Sequence, residues 1–319
     1  MKQVRSFFKV IRWQNLVFIG ITQLLFHFCV VVPSANGSVN TFPLRLTSPL
    51  LLLLCFSSIC IAAAGYIIND YFDINIDEIN KPDKIVVGRH MGRRWALAWH
   101  LILSIAGLLL SGYVSLQLNN WLIAVANFTC VLLLWFYSTS FKRQLLIGNV
   151  VISSLTAWVI LVLLVAEIPG WWSGGLATEQ EKATVARLSR IGVLYASFAF
   201  VLSLIREAVK DMEDMEGDRK EGCRTMPLQW GLPAAKVFTG VWMVVLTAAL
   251  IIMQIYVIQF SWWFFSIYIV LFVVIPLIHI FKRFLQAKQI HHFSYLSKML
   301  KWTMLTGIIS MVFFLLYTR

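Results

Sequence analysis

The chain is divided from end to end into apolar runs of about 20 residues, the length an α-helix needs to cross a lipid bilayer. Nine runs can be read: Trp13–Val32, Pro49–Asn69, Trp95–Ser115, Trp121–Ser138, Leu146–Ala166, Ile191–Ala208, Val237–Tyr256, Trp262–Ile280 and Trp302–Tyr317. Inside a bilayer no water is present to bond the backbone, so such runs must satisfy their N–H and C=O groups as helices. The expected fold is all-α: a polytopic membrane protein, one domain over residues 1–319, built as a bundle of nine transmembrane helices. Composition agrees. Hydrophobic residues make up 59% and charged residues 13%, whereas a soluble domain carries about 25% charged residues. A soluble globule, a disordered chain and a collagen-like chain are all excluded. The first run follows Lys2, Arg5, Lys9 and Arg12. It exceeds the roughly 7–15 apolar residues of a signal peptide, so it is expected to stay as the first helix.

The formal charge is +12. In a membrane protein this reports topology before it suggests nucleic acid, because cytoplasmic loops collect Lys and Arg. Of the 27 basic residues, all but Arg45, Lys182, Arg187, Arg190 and Arg319 fall on one side of the nine-helix arrangement. The N-terminus is therefore expected in the cytoplasm and the C-terminus outside, in a cell inner membrane. Membrane lipid is the expected surround, and no nucleic-acid partner is expected. The five cysteines and six histidines show no zinc-ligand spacing and no disulfide framework. No Gly-x-x-x-x-Gly-Lys-Ser/Thr loop occurs.

The acidic residues are distributed differently. Of 15, all but Glu167, Glu179 and Glu181 lie in two short windows; those three are expected in the outer connection between helices five and six. The windows share a spacing: Asp70, Asp73 and Asp77 repeat at i, i+3, i+7, as do Asp211, Asp214 and Asp218. On a helix these offsets stack side chains on one face. Like charges so placed repel one another, and a bound cation reverses that penalty. Two oxygen-only clusters on one side of the membrane suit a hard cation, Mg²⁺ first, which binds through one or two carboxylates plus substrate phosphates. The basic residues nearby (Lys81, Lys84, Arg89, Lys142, Arg143, Lys210 and Arg219) suit the remaining phosphate oxygens. A plainer alternative is two solvated loops whose acids pair with their basic neighbours. The matched spacing favours a site, and it hints at an internal repeat of helices one to four in helices five to eight, with helix nine appended. Cation transport is a further alternative. It would want polar groups near the midplane, whereas these acids gather at helix ends.

Asn69 to Lys84 reads NDYFDINIDEINKPDK, and Arg206 to Gly231 reads REAVKDMEDMEGDRKEGCRTMPLQWG. These resemble the two aspartate-rich motifs of the UbiA superfamily of intramembrane prenyltransferases. Between them YSTSFKRQLLIGN, Tyr137 to Asn149, resembles that family's central Tyr-Ser-x-x-Lys-Arg segment, and RWQN, Arg12 to Asn15, resembles the start of its first helix. The resemblance implies a UbiA-type nine-helix fold and a Mg²⁺-dependent transferase that takes its prenyl group from a polyprenyl diphosphate. It implies metal ligation by Asn69, Asp70, Asp73 and Asp77 in one half and by Asp211, Asp214 and Asp218 in the other. Lys142 and Arg143 would bind diphosphate. Tyr137 would hold phosphate or face the allylic cation. Arg12 and Asn15 would contact substrate, with Lys81, Arg89 and Lys210. The prenyl tail would run between helices toward lipid. The second motif looks closest to the branch that transfers geranylgeranyl to geranylgeranylglyceryl phosphate in ether-lipid synthesis. An aromatic acceptor of quinone biosynthesis (4-hydroxybenzoate, homogentisate or a naphthoate) is the alternative.

Overall fold

Nine helices long and apolar enough to cross a membrane are present among the described residues of the computed structural model, which are 2–36, 43–80, 82, 85–168 and 178–317. In chain order the spans are Trp13–Ala35, Ser48–Phe72, Arg93–Gln117, Trp121–Thr139, Ile147–Glu167, Glu179–Glu213, Gly231–Ile258, Trp263–Gln286 and Ile290–Tyr317. No strand occurs among the described residues; the only pairing of that kind is an isolated bridge, Val87 to Met91.

The sequence expectation locates all nine, yet two helices run well beyond their apolar cores. The sixth begins at Glu179 rather than near Ile191, because Thr178 and Glu181 form a capping box that starts the helix in polar sequence. The ninth begins at Ile290 rather than near Trp302, behind a reciprocal cap between Gln289 and His292. An apolar window reports what lies in lipid, not where helical hydrogen bonding stops. The sixth helix also continues past Ala208 to Glu213, so Asp211 is carried by the span itself.

The acidic triplets do not ride on straight helices. Each kinks at its middle aspartate. Asp73 sits at φ −92°, ψ 3° and Asp214 at φ −96°, ψ 6°, both near the sparsely populated bridge region. Asp77 then lies on the short helix Ile74–Asn80 and Asp218 on Met215–Lys220. The helix is interrupted at both, but two i to i−4 hydrogen bonds hold each kink, Asp73 N to Asn69 O with Asp77 N to Asp73 O, and Asp214 N to Lys210 O with Asp218 N to Asp214 O. The expected single face is therefore bent rather than lost.

The second span packs along the third and fourth, the fifth along the sixth, and the sixth against the seventh and ninth. The first touches the ninth and closes the bundle. Some polar groups inside it are tied to other spans, which lowers their cost in lipid. Gln23 Nε2 donates to Ser58 Oγ and to the Val159 carbonyl, tying spans one, two and five. Pro276 cannot supply an N–H to the Phe272 carbonyl, and the Thr306 hydroxyl of span nine donates to it instead at 2.8 Å. Glu167 corrects an expectation. It closes the fifth span rather than lying in the connection, is 1% exposed, and accepts the Arg45 backbone N–H at 2.9 Å.

Candidate active site

Four segments bring the chemistry together at one end of the bundle. The first motif ends span two. The Phe141–Arg143 turn joins spans four and five. The second motif ends span six, and Arg12 precedes span one. The turn is held close by a glycine: a Cβ on Gly148 would stand 2.9 Å from the Lys142 backbone and 3.0 Å from the Phe141 carbonyl. The approach is prepared by Leu146, which takes a left-handed φ of 60°. Arg12 also sits at positive φ, 51°. Both are costly conformations for residues with a Cβ.

The acids of the first motif face cations. Arg12 Nη2 donates to Asp70 Oδ1 at 2.7 Å, and its guanidinium lies 5.0 Å over the Tyr66 ring. Lys142 pairs with Asp73 Oδ1, while Asn69 Nδ2 donates to Asp73 Oδ2 at 2.7 Å. That leaves Asn69 Oδ1 buried with no hydrogen-bond partner. In the second motif Asn149 Nδ2 donates to Asp211 Oδ2 at 2.8 Å. Asp218 is buried. Its burial, with the charges of Asp214 and Asp73, pushes its carboxyl from 3.8 up to about 7. The charge of Asp73 therefore acts on Asp218 across the two motifs. Tyr137 stands where the charges of Glu207, Asp73, Asp211 and Arg12 all act on it.

Other expected residues fall nearby in different settings. Lys210 pairs with Glu207 at 2.9 Å. Asn15 accepts from Lys301 Nζ at 2.6 Å. Arg143 is exposed, and its carbonyl accepts the Arg224 N–H at 2.7 Å, tying the central turn to the loop after the second motif. Arg89 donates to the Pro82 carbonyl at 2.9 Å, within its own loop. Lys81 and Lys84 lie outside the described residues. Among the described residues, no three His, Cys, Asp or Glu side chains converge as a metal-binding group; Arg12, Lys142 and Asn149 take up carboxylate oxygens instead.

Three residues were not singled out from sequence. Asn149 stands in an apolar run, where its polarity is a signal. Glu207 is buried, with Arg206 at 2.8 Å and Lys210 at 2.9 Å on its two oxygens. Asn80 is the clasp between motifs. Its Nδ2 donates to the Asp214 carbonyl at 3.1 Å, and its Oδ1 accepts the Gly217 N–H at 2.9 Å. A Cβ on Gly217 would meet Asn80 Nδ2 at 2.5 Å, so only glycine allows this approach. An apolar cavity of about 780 Å³ extends from the same end of the bundle, lined by Phe18, Leu202 and Thr303 near the site and by Trp262 and Tyr317 far from it.

Comparisons with known proteins bear on the family and the fold. Residues 24–305 match the model of the UbiA prenyltransferase family. A digeranylgeranylglyceryl phosphate synthase of Methanosphaera stadtmanae is 29% identical over 260 residues, covering 79% of this chain and 84% of that protein. A solved structure of a digeranylgeranylglyceryl phosphate synthase superposes with a TM-score of 0.61 at 26% identity, covering 98% of this chain and 99% of that one. A UbiA homolog from Archaeoglobus fulgidus, bound to DMAPP and Mg²⁺, shares the fold with a TM-score of 0.58 at 14% identity, covering 96% and 99%. The chain belongs to the UbiA prenyltransferase family. It is a multi-pass integral membrane prenyltransferase.

Two outcomes follow from the geometry. Asn80→Ala and Gly217→Ala each separate the motifs, and prenyl transfer should fall at least about tenfold while the detergent-solubilised protein keeps its elution position. The second outcome concerns pH. A carboxyl held above its unfolded value is neutral in the fold over a range where the unfolded chain is charged. Stability in EDTA should therefore fall as pH rises from about 4 to about 7 and level off above, as Asp218 ionises. Thermal unfolding of wild type against Asp218→Asn measures it, the variant showing a weaker slope over that window.

Proposed function

We propose that this prenyltransferase moves a geranylgeranyl group from its diphosphate to geranylgeranylglyceryl phosphate, with Mg²⁺, at a site shared by both acidic motifs. The observation that carries the reading is the meeting of the two triplets around Lys142, with Asp73 acting on Asp218 and Asn80 clasping one motif to the other. The metal fits the residues present. The donor set is oxygen only, and the buried Asn69 Oδ1 beside Asp73 has no partner. Asn69, Asp70, Asp73 and Asp77 would hold it on one side, and Asp211, Asp214 and Asp218 on the other. Bound there, Mg²⁺ supplies positive charge to the leaving diphosphate.

The residues then divide the work. Lys142 and Arg143 bind diphosphate oxygens, Lys142 turning from Asp73 to do so. Breaking the C1–O bond leaves an allylic cation, which the electron-rich face of Tyr137 stabilises. The apolar walls of the bundle keep water from the cation. The acceptor hydroxyl attacks C1, forming the ether C–O bond, and gives its proton to the departing diphosphate. Arg12, Asn15 and Lys210 orient the acceptor. No covalent nucleophile is required. The acceptor follows the activity for which the relatives are named and the form of the second motif, and the charge bias orients the chain with its N-terminus in the cytoplasm and its C-terminus outside, in a cell inner membrane. The kink shared by Asp73 and Asp214 supports an internal repeat of spans one to four in five to eight, with span nine added.

The test uses purified protein, radiolabelled geranylgeranyl diphosphate and Mg²⁺, with geranylgeranylglyceryl phosphate, 4-hydroxybenzoate, homogentisate or dihydroxynaphthoate. Product is expected from the glyceryl phosphate. Product from an aromatic acid alone would move the enzyme to quinone synthesis. Asp73→Ala and Asp214→Ala should each lower kcat/KM at least about a hundredfold, while Glu179→Ala, exposed and far along span six, leaves it unchanged. Retained turnover in either aspartate variant would contradict the shared site.

A further inference from the structure

Beside the acidic group lies a cluster of opposite sign in which Arg12, Asn15 and Lys210 are joined by two cations the reaction above does not use, Lys301 and Arg206. Lys301 is half-buried on span nine, with its ammonium 5.2 Å over the Phe18 ring and 2.6 Å from Asn15 Oδ1. The charges of Arg206 and Arg12 act on it. Arg206 gives Nη1 to Glu207 at 2.8 Å, yet its Nε is buried without a hydrogen-bond partner. Three cations gathered in a bundle repel one another, and an unpaired guanidinium N–H under apolar cover is costly. Asp70 and Glu207 offset part of this, through Arg12 and through Arg206 and Lys210. Asp77 also acts on Arg12, and Asp211 on Lys210. What stays unmatched is the open edge of Arg206, which an anion would fill.

The position of the cluster says which anion. Phe18, which carries Lys301 over its ring, lines the 780 Å³ apolar cavity. So do Leu202, one helical turn before Arg206, and Thr303, just beyond Lys301. The cluster is the charged mouth of an apolar slot. Along span one the lining runs from Phe18 to Ser34, about 24 Å of helix at 1.5 Å per residue. An extended chain of four isoprene units is roughly 20 Å long. The mouth also adjoins the reacting centre, since Arg12 bonds Asp70 of the first motif at 2.7 Å. A phosphate held at Lys301 and Arg206 therefore keeps a hydroxyl on the same glycerol backbone within reach of the site.

We infer that Lys301 and Arg206, with Asn15, form the subsite for the phosphate of a prenylglyceryl phosphate acceptor whose chain occupies this cavity, and so select a phosphorylated acceptor over a neutral one. Lys301 lies outside the sequence motifs, and Arg206 opens the second motif without being one of its expected metal or substrate ligands. The inference rests on the acceptor class proposed above and deepens it.

The experiment compares geranylgeranylglyceryl phosphate with its dephosphorylated alcohol, at saturating geranylgeranyl diphosphate and Mg²⁺. The enzymes are wild type, Lys301→Gln, Arg206→Gln and the conservative Lys301→Arg. Wild type should prefer the phosphate. Each Gln variant should raise KM for the phosphorylated acceptor at least about tenfold. It should leave KM for the donor and kcat/KM for the alcohol within about twofold, which a misfolded protein could not do. Lys301→Arg should keep most of the preference. Equal losses with both acceptors, a rise confined to the donor KM, or an unchanged acceptor KM would each overturn the subsite while wild-type turnover of the glyceryl phosphate upheld the acceptor class. Wild-type turnover of an aromatic acid alone would overturn that class, and the subsite with it.

Discussion

Crowding of negative charge is the constraint around which this molecule is arranged. Asp73 and Asp214 both act on the buried Asp218. Such an arrangement survives if positive charge is supplied or if a carboxyl keeps its proton, as Asp218 does. The protein supplies part of it itself, with Lys142 on Asp73 and Arg12 on Asp70. These are the cations a diphosphate would draw toward itself. A site whose acids are neutralised by mobile side chains can exchange those partners for metal and substrate.

The scaffold makes this convergence specific. Two long spans deliver the motifs to one end of the bundle, and each breaks at its middle aspartate, where two i to i−4 hydrogen bonds hold the bend. The bends turn the last acid of each triplet onto a short helix, and those short helices meet at Asn80 and Gly217. The glycine at 148 lets the Lys142 turn lie against span five. Small residues and one amide thus set the spacing of the charged ones. The apolar bulk of the bundle supplies a slot suited to a chain rather than to a polar solute.

Much of this was legible in the sequence because two physical rules dominate it. Apolar run length in a bilayer gave all nine spans, and the odd distribution of carboxylates marked the site. What escaped has equally physical reasons. The sixth and ninth helices begin in polar sequence, where a cap at Thr178 or Gln289 starts them and hydropathy is blind. The kinks escaped because i, i+3, i+7 spacing implies a straight helix. Glu167 looked like a loop residue, yet its carboxylate caps the Arg45 N–H inside the protein. Asn80, Asn149 and Glu207 act through partners more than 60 residues away in two of three cases, Asn80 on Asp214 and Asn149 on Asp211. No local pattern encodes such pairs.

The central claim is that the two acidic halves form one site. The most direct measurement is a double-mutant cycle on Mg²⁺-dependent binding of geranylgeranyl diphosphate, using wild type, Asp73→Asn, Asp214→Asn and the double variant. A single shared site predicts that the double variant binds no more weakly than the worse single variant, because either loss already dismantles the common diphosphate cradle. Losses that add in full would mean two independent half-sites, and would contradict the account.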